Sequence, residues 1–110
     1  MDKFIERAKA VADPTRVRIL KVLEAGELCS CEIEETVGIR KSMATRHLGV
    51  LKAAGLVEAL QKGQWTHYRL AGRGDGREFV AFVMDHLDAD QRIQDDWARL
   101  MKVRGTCEGC

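Results

Sequence analysis

Residues 41–54, KSMATRHLGVLKAA, constrain this chain more than any other stretch. Spaced at 100° per residue, Ala44, Leu48, Leu51 and Ala54 fall on one side of a helix, with His47 beside them. Ser42, Thr45, Arg46, Gly49 and Lys52 fall on the opposite side. Such a helix must bury its first face against other elements while keeping a basic face free. Just before it, CEIEETV carries Glu32, Glu34 and Glu35 in the first turns of a short helix, where anions are favoured. Gly38 then suits the position after its C-terminus. Two helices joined by a short glycine-containing turn, the second with a basic outer face, form a helix-turn-helix.

The flanking sequence fits that unit. Phe4, Ile5, Ala8 and Val11 recur at helical spacing. Asp13-Pro14 pairs a side-chain cap with proline at the first helical position. Glu27-Leu28-Cys29 reads as extended, after which Ser30 is the expected cap of the short helix. LVEALQKGQWTHYRL alternates around Lys62-Gly63 as a β-hairpin does, with Trp65 and Tyr68 expected in the core. After GRGDG, the segment EFVAFVMDHLDADQRIQDDWARLMKV reads as helix with a break near residues 88–90. The expected elements are helices 2–12, 14–25, 30–37 and 41–54, a hairpin 56–70, and C-terminal helices over about 76–104. The fold class is mainly α with a β-hairpin, a winged helix-turn-helix. Residues 1–104 form one DNA-binding and dimerisation domain, and residues 105–110 a flexible cysteine-containing tail. Phe79, Val80, Phe82, Val83, Leu87, Ile93, Trp97, Leu100 and Met101 offer more apolar surface than so small a domain covers alone. A homodimer through the terminal helices is the expected use.

Charge separates along the chain. Residues 1–39 hold six basic and eight acidic side chains, residues 40–73 seven and one, and residues 74–110 five and eight. A middle third at +6 between acidic flanks suits a polyanion. Ser42, Thr45 and Arg46, on the first turns of the outward face, are the candidates for reading base edges. Gly49 lets the backbone approach closely. Arg40, Lys41, Lys52, Lys62 and Gln64 are the candidates for phosphate contacts that set register without reading sequence. The partner is double-stranded operator DNA, an inverted repeat for a dimer. No apolar run of bilayer length and no apolar leader appears, so a cytoplasmic protein with no membrane role is expected. Nor is there a glycine-rich phosphate loop or a positioned base beside the cysteines, so no enzyme and no organic cofactor is expected.

Taken together, ADPTRVRIL, ELCSCEIE, TRHLGVLKAAGLV and KGQWTHYRL resemble the ArsR/SmtB metal-sensing repressors, over about residues 12–70. The resemblance implies a homodimeric winged-helix repressor that leaves its operator on binding an inducer. ELC-x-C-[DE] looks like the thiolate site of that family's arsenic, antimony, cadmium and lead sensors. Arg40 and Lys41 depart from the Ser-Gln often found there, so the operator sequence does not carry over.

Cys29 and Cys31 cannot grip one ion from within a regular helix, where i and i+2 point about 200° apart. In an extended segment they point the same way. Chelation therefore requires Cys29 to lie outside the helix or the first turn to unwind. Two thiolates leave As(III) or Sb(III) short of its usual three ligands. In the best-known arsenic sensors a third cysteine follows three residues later; here that position is Glu34. Cys107 and Cys110, in GTCEGC, have chelating spacing and are the expected completion of the site, from either protomer. The expected inducer is As(III) or Sb(III); Cd(II), Pb(II) or Zn(II) on all four thiolates is the alternative, and thiol oxidation without metal a third. The family's second metal site, built from Asp-x-His and a later His-x-x-Glu, is expected to be missing, since Asp85 and His86 are adjacent and no histidine follows.

Overall fold

A computed structural model of the chain describes residues 1–87 and 90–105; Cys107 and Cys110 lie outside them. Helices α1 (Asp2–Ala10) and α2 (Pro14–Leu23) lead into a two-residue strand β1 (Leu28–Cys29), and α3 (Ser30–Val37) and α4 (Lys41–Ala53) follow. Strands β2 (Val57–Lys62) and β3 (Trp65–Leu70) form the hairpin, and α5 (Gly74–His86) and α6 (Gln91–Val103) complete the fold. The expected break between the last two helices is present, with Asp90 capping α6 through its side chain.

The sheet runs β1-β3-β2, all antiparallel. Lys62 pairs with Trp65, leaving a two-residue loop whose first residue, Gly63, has φ +62°. Glycine in that place suits the mirror-image turn that matches strand twist. β1 pairs Leu28 with Tyr68 and Cys29 with His67, so the start of the Cys-x-Cys stretch belongs to the wing sheet. At the start of α2, the Asp13 carboxylate accepts from the Thr15 and Arg16 N–H groups. Burial pushes the Asp13 pKa up, but those bonds and the Arg16 charge outweigh it and hold the pKa below its ordinary value.

Ile19, Leu20, Leu23, Leu28, Ile33, Leu48, Leu51, Leu56 and Leu100 form a continuous buried core. Val80 and Ile93 are also buried within the chain, so part of the surface assigned to a dimer is intramolecular. Phe4, Ile5, Phe82 and Met101 remain exposed, and Phe4 meets Phe79 edge-to-face at 6.2 Å. Tyr68 packs partly on the core as expected, whereas half-buried Trp65 borders a surface cleft.

α6 lies against α2 and α3, fixed by one fully buried carboxylate. Asp96 Oδ1 accepts from Arg18 at 2.7 Å and from Arg99 at 2.9 Å, and Oδ2 accepts from Arg18 Nε at 2.8 Å. The same arginines donate onward, Arg18 to the Val37 carbonyl (2.8 Å) and Arg99 to the Thr36 carbonyl (2.7 Å). These carbonyls end α3, where helices leave acceptors unsatisfied and favour positive charge.

α5 starts at Gly74, two residues before the expected position, and Gly76 in its first turn is a contact point. A Cβ there would sit 2.1 Å from the Gly55 carbonyl oxygen. Gly76→Ala is therefore expected to lower unfolding stability by about 1–3 kcal/mol or more, the usual cost of overpacking. Gly72→Ala, which meets nothing within 4 Å, is the control and should stay within about 0.5 kcal/mol. Urea unfolding followed by circular dichroism measures both.

Candidate DNA-reading face and thiol centre

The helix-turn-helix is assembled from α3 and α4. Ala44, His47, Leu48 and Leu51 are buried, which leaves Arg40, Lys41, Ser42, Thr45, Arg46, Gly49 and Lys52 exposed on one side. His47 is a packed residue as expected, with Nδ1 3.2 Å from an Arg16 guanidinium nitrogen. Lys62 and Gln64 are exposed at the wing tip. The polar face of α4 and the wing thus present every expected DNA-contacting side chain to solvent. Met43 and Val50, about two helical turns apart, are also exposed and were not singled out in the sequence. They lie on the flank between the two faces, where periodicity assigns neither role. Apolar side chains there suit contact with thymine methyl groups.

A cleft of about 320 Å³ separates α3 and α4 from the wing. Ser30, Cys31 and Glu34 line it on one side, Lys41 and Thr45 on another, and Gln64, Trp65, Thr66 and Tyr68 close it. Burial pushes the Glu34 carboxyl above its ordinary pKa, with Lys41 opposing and Glu35 adding to the rise.

The thiol centre sits at the junction of wing and helix. Cys29, not Ser30, is the N-cap of α3; its φ of −80° and ψ of 160° are extended. That satisfies the condition for joint chelation: the side chains converge, with Sγ atoms 3.6 Å apart. Two sulfurs tetrahedrally placed at ~2.3 Å from a zinc-like ion would stand about 3.8 Å apart. Cys29 is fully buried, and Cys31 faces the cleft. Glu32, also buried, accepts the Cys29 N–H on Oε1 at 3.0 Å and the Gly105 N–H on Oε2 at 2.7 Å. Among the described residues no three His, Cys, Asp or Glu side chains are grouped to hold a metal ion. The sulfur pair fits a soft ion but does not complete its coordination. His86 stacks on Phe82 with ring centroids 4.3 Å apart.

Residues 13–59 match the family model for bacterial regulatory proteins of the arsR family. The homodimeric winged helix-turn-helix DNA-binding domain of a possible ArsR-family regulator from Mycobacterium bovis superposes with a TM-score of 0.69. That likeness comes at 33% identity and covers 82% of this chain and 86% of that one. The chain belongs to the ArsR family. It is 41% identical over 68 residues to an uncharacterised HTH-type regulator of Methanocaldococcus jannaschii, covering 61% of this chain and 76% of that protein. It is also 38% identical over 68 residues to the arsenical resistance operon repressor of Escherichia coli, where the match covers 61% of this chain and only 58% of that protein. The family consists of DNA-binding regulators, not enzymes. No helix among the described residues is long and apolar enough to cross a membrane.

In this ArsR-family chain one acidic residue joins the thiol centre to the wing. Glu27, two residues before Cys29, accepts from Lys62 Nζ at 2.5 Å and lies 3.1 Å from His67 Nδ1. The Lys62 hydrogen bond holds the Glu27 carboxyl below its ordinary pKa even though burial opposes it. Lys62 therefore has a competitor for any phosphate. Glu27→Gln is expected to raise affinity for duplex DNA about threefold at low salt and to steepen the salt dependence by about one counterion. Fluorescence anisotropy across a salt series checks this; unchanged slope and affinity would remove Lys62 from the phosphate contacts.

Proposed function

We propose that this chain is the repressor of a metal(loid)-resistance operon. It binds double-stranded operator DNA, an inverted repeat, as a homodimer and leaves it when As(III) or Sb(III) binds Cys29 and Cys31 with Cys107, Cys110 or both. The observation that carries the reading is the 3.6 Å sulfur pair at the junction of β1 and α3. The arsenical resistance repressor of Escherichia coli supports the inducer class, and the Mycobacterium bovis homodimer supports the assembly. Exposed Phe4, Ile5, Phe82 and Met101 supply apolar surface for that assembly.

In this reading α4 enters the major groove. Arg46 pairs with a guanine edge, Ser42 and Thr45 touch bases or nearby phosphates, and Gly49 allows close approach. Arg40, Lys41, Lys52, Lys62 and Gln64 hold the backbone. Because Cys29 both ends β1 and caps α3, recruiting a further sulfur to an ion already seated on Cys29 and Cys31 pulls the start of α3 relative to the wing. The two DNA-binding elements then no longer share the register a groove requires. Cd(II), Pb(II) or Zn(II) would engage the same sulfurs and differ in ligand number. A thiol-redox repressor is the second reading, favoured by the closeness of the two sulfurs.

Cys31→Ser is expected to keep operator binding in the reduced, metal-free protein and to lose release by As(III), as read by electrophoretic mobility shift; release at wild-type arsenite would count against the site. Arg46→Ala is expected to weaken operator binding by about 1–3 kcal/mol and to relax base preference at one position. A binding selection with randomised duplexes measures the second effect, and an unchanged consensus would remove Arg46 from base reading.

A further inference from the structure

One strip of α4 carries no role in the complex proposed above. Met43 and Val50 are 39% and 37% exposed, turned away from the core. Seven residues apart at 100° per residue, they fall within about 20° of each other and so form one line along the helix. Lys41 and Thr45 line the cleft beside the wing, and the strip runs down the opposite flank. Arg46, one turn on from Met43, is exposed between the strip and the rest of the basic face. Apolar side chains scattered singly over a surface need no explanation; two in line along the edge of a polar reading face do.

We propose that Met43 is a specificity-determining residue that reads the C5-methyl group of a thymine in the major groove. The inference rests on α4 being the reading helix. Among the four bases thymine alone presents a methyl group there. Met43 has no side-chain donor and only a weak sulfur acceptor, so it gains from a methyl group and not from a polar base edge. Its unbranched chain adjusts to the shape of its partner. Met43 lies in the first turn of α4, the part of a recognition helix that reaches base edges. Helical side chains tilt toward the N-terminus, so Met43 leads Arg46 into the groove. The two are about 4.5 Å apart along the helix axis, against roughly 3.4 Å for one base-pair step. The thymine therefore stands about one or two base pairs from the guanine that Arg46 pairs with. Val50 continues the strip about 10.5 Å further on, in the C-terminal half of α4 and away from the end that enters the groove.

A selection with randomised duplexes on the reduced, metal-free full chain supplies the half-site, and the position whose preference relaxes in Arg46→Ala marks the guanine. Each thymine of the half-site is then replaced in turn by deoxyuridine, which removes the methyl group and keeps every hydrogen bond. At one thymine beside the guanine this is expected to weaken wild-type binding about fourfold, the factor for one methyl group withdrawn from an apolar contact. At the same position 5-methylcytosine should bind better than cytosine by a similar factor. Both differences should vanish in Met43→Ala and persist in Val50→Ala. Because Met43 is exposed, its replacement is expected to leave the fold intact, as circular dichroism will show. A half-site without a methyl-sensitive thymine beside the guanine, or a sensitivity that survives in Met43→Ala, overturns the proposal. A sensitivity lost in Val50→Ala and kept in Met43→Ala gives the contact to Val50 and overturns it too. Sedimentation equilibrium tests the other use of the strip: a weaker dimer in Met43→Ala, with the deoxyuridine effect unchanged, makes the strip a protein interface and the proposal wrong. If the wild type enriches no sequence at all, it is the reading of α4 itself that falls.

Discussion

An eight-residue helix does not hold itself together in water, and α3 depends on a buried carboxylate at each end. Glu32 secures its N-terminus to the last described residue, and Asp96, through Arg18 and Arg99, secures its C-terminal carbonyls. Both ties run from α3 to α6 or to Gly105, two residues beyond its end. The placement of α4 follows, because only Gly38, Ile39 and Arg40 separate it from α3. Gly38, at φ 78°, ends α3 sharply enough for α4 to cross it, and the reading face inherits its orientation from the clamp. The Asp96 cluster is costly to desolvate, and Arg18 and Arg99 keep some exposure, so its contribution is better seen as geometric than as a large net stabilisation.

Cys29 carries a similar double duty. As the end of β1 it pairs with His67 of the wing, and as the N-cap of α3 it occupies a place where serine or threonine is the usual choice. Sulfur is a poor hydrogen-bonding cap, so the N-terminus relies on Glu32 more than it would with a hydroxyl. That substitution makes the start of α3 responsive to chemistry at sulfur. Glu27 extends the same link outward by holding Lys62 on the wing. Thiol pair, wing lysine and reading helix are thus joined through contacts on one short strand and one short helix.

Much of this was legible in sequence because periodicity and capping are local. The sides of α4, the Asp13-Pro14 start, the Gly38 stop and the hairpin around Gly63 all followed from residues a few places apart. Ser30 was the wrong cap because the competing choice depended on where β1 ended, and two residues of strand leave almost no alternation to read. The close approach of Gly76 to the Gly55 carbonyl was not legible, because no local pattern contains that contact. Leu100, Ile93 and Val80 were assigned to a partner surface although all three are buried within the chain, where α6 packs on α2 and α3; apolar periodicity marks a buried face and not what buries it. In the thiol centre, the need for an extended Cys29 was derivable from chain geometry. The roles of Glu32 and Glu27 were not, because their partners lie 73 and 35 residues away.

For the repressor proposed above, the energy that sensing requires can be set against these contacts. Coupling between two sites is reciprocal and typically about 1–3 kcal/mol, enough to change DNA occupancy 5–150-fold. A hydrogen bond to a charged group contributes about 1.5–3 kcal/mol, and a helix N-cap about 1. Disturbing the Cys29 N–H bond to Glu32, or the extended turn at Cys29, is therefore sufficient in size without unfolding α3. A larger rearrangement would have to break the Asp96 cluster as well. The acidic setting of ELCSCEIE then acquires a physical sense. Glu27 and Glu32 are already committed to Lys62 and to backbone N–H groups, so they repel the neighbouring sulfurs less than their sequence suggests, and a bound cationic centre would meet them favourably.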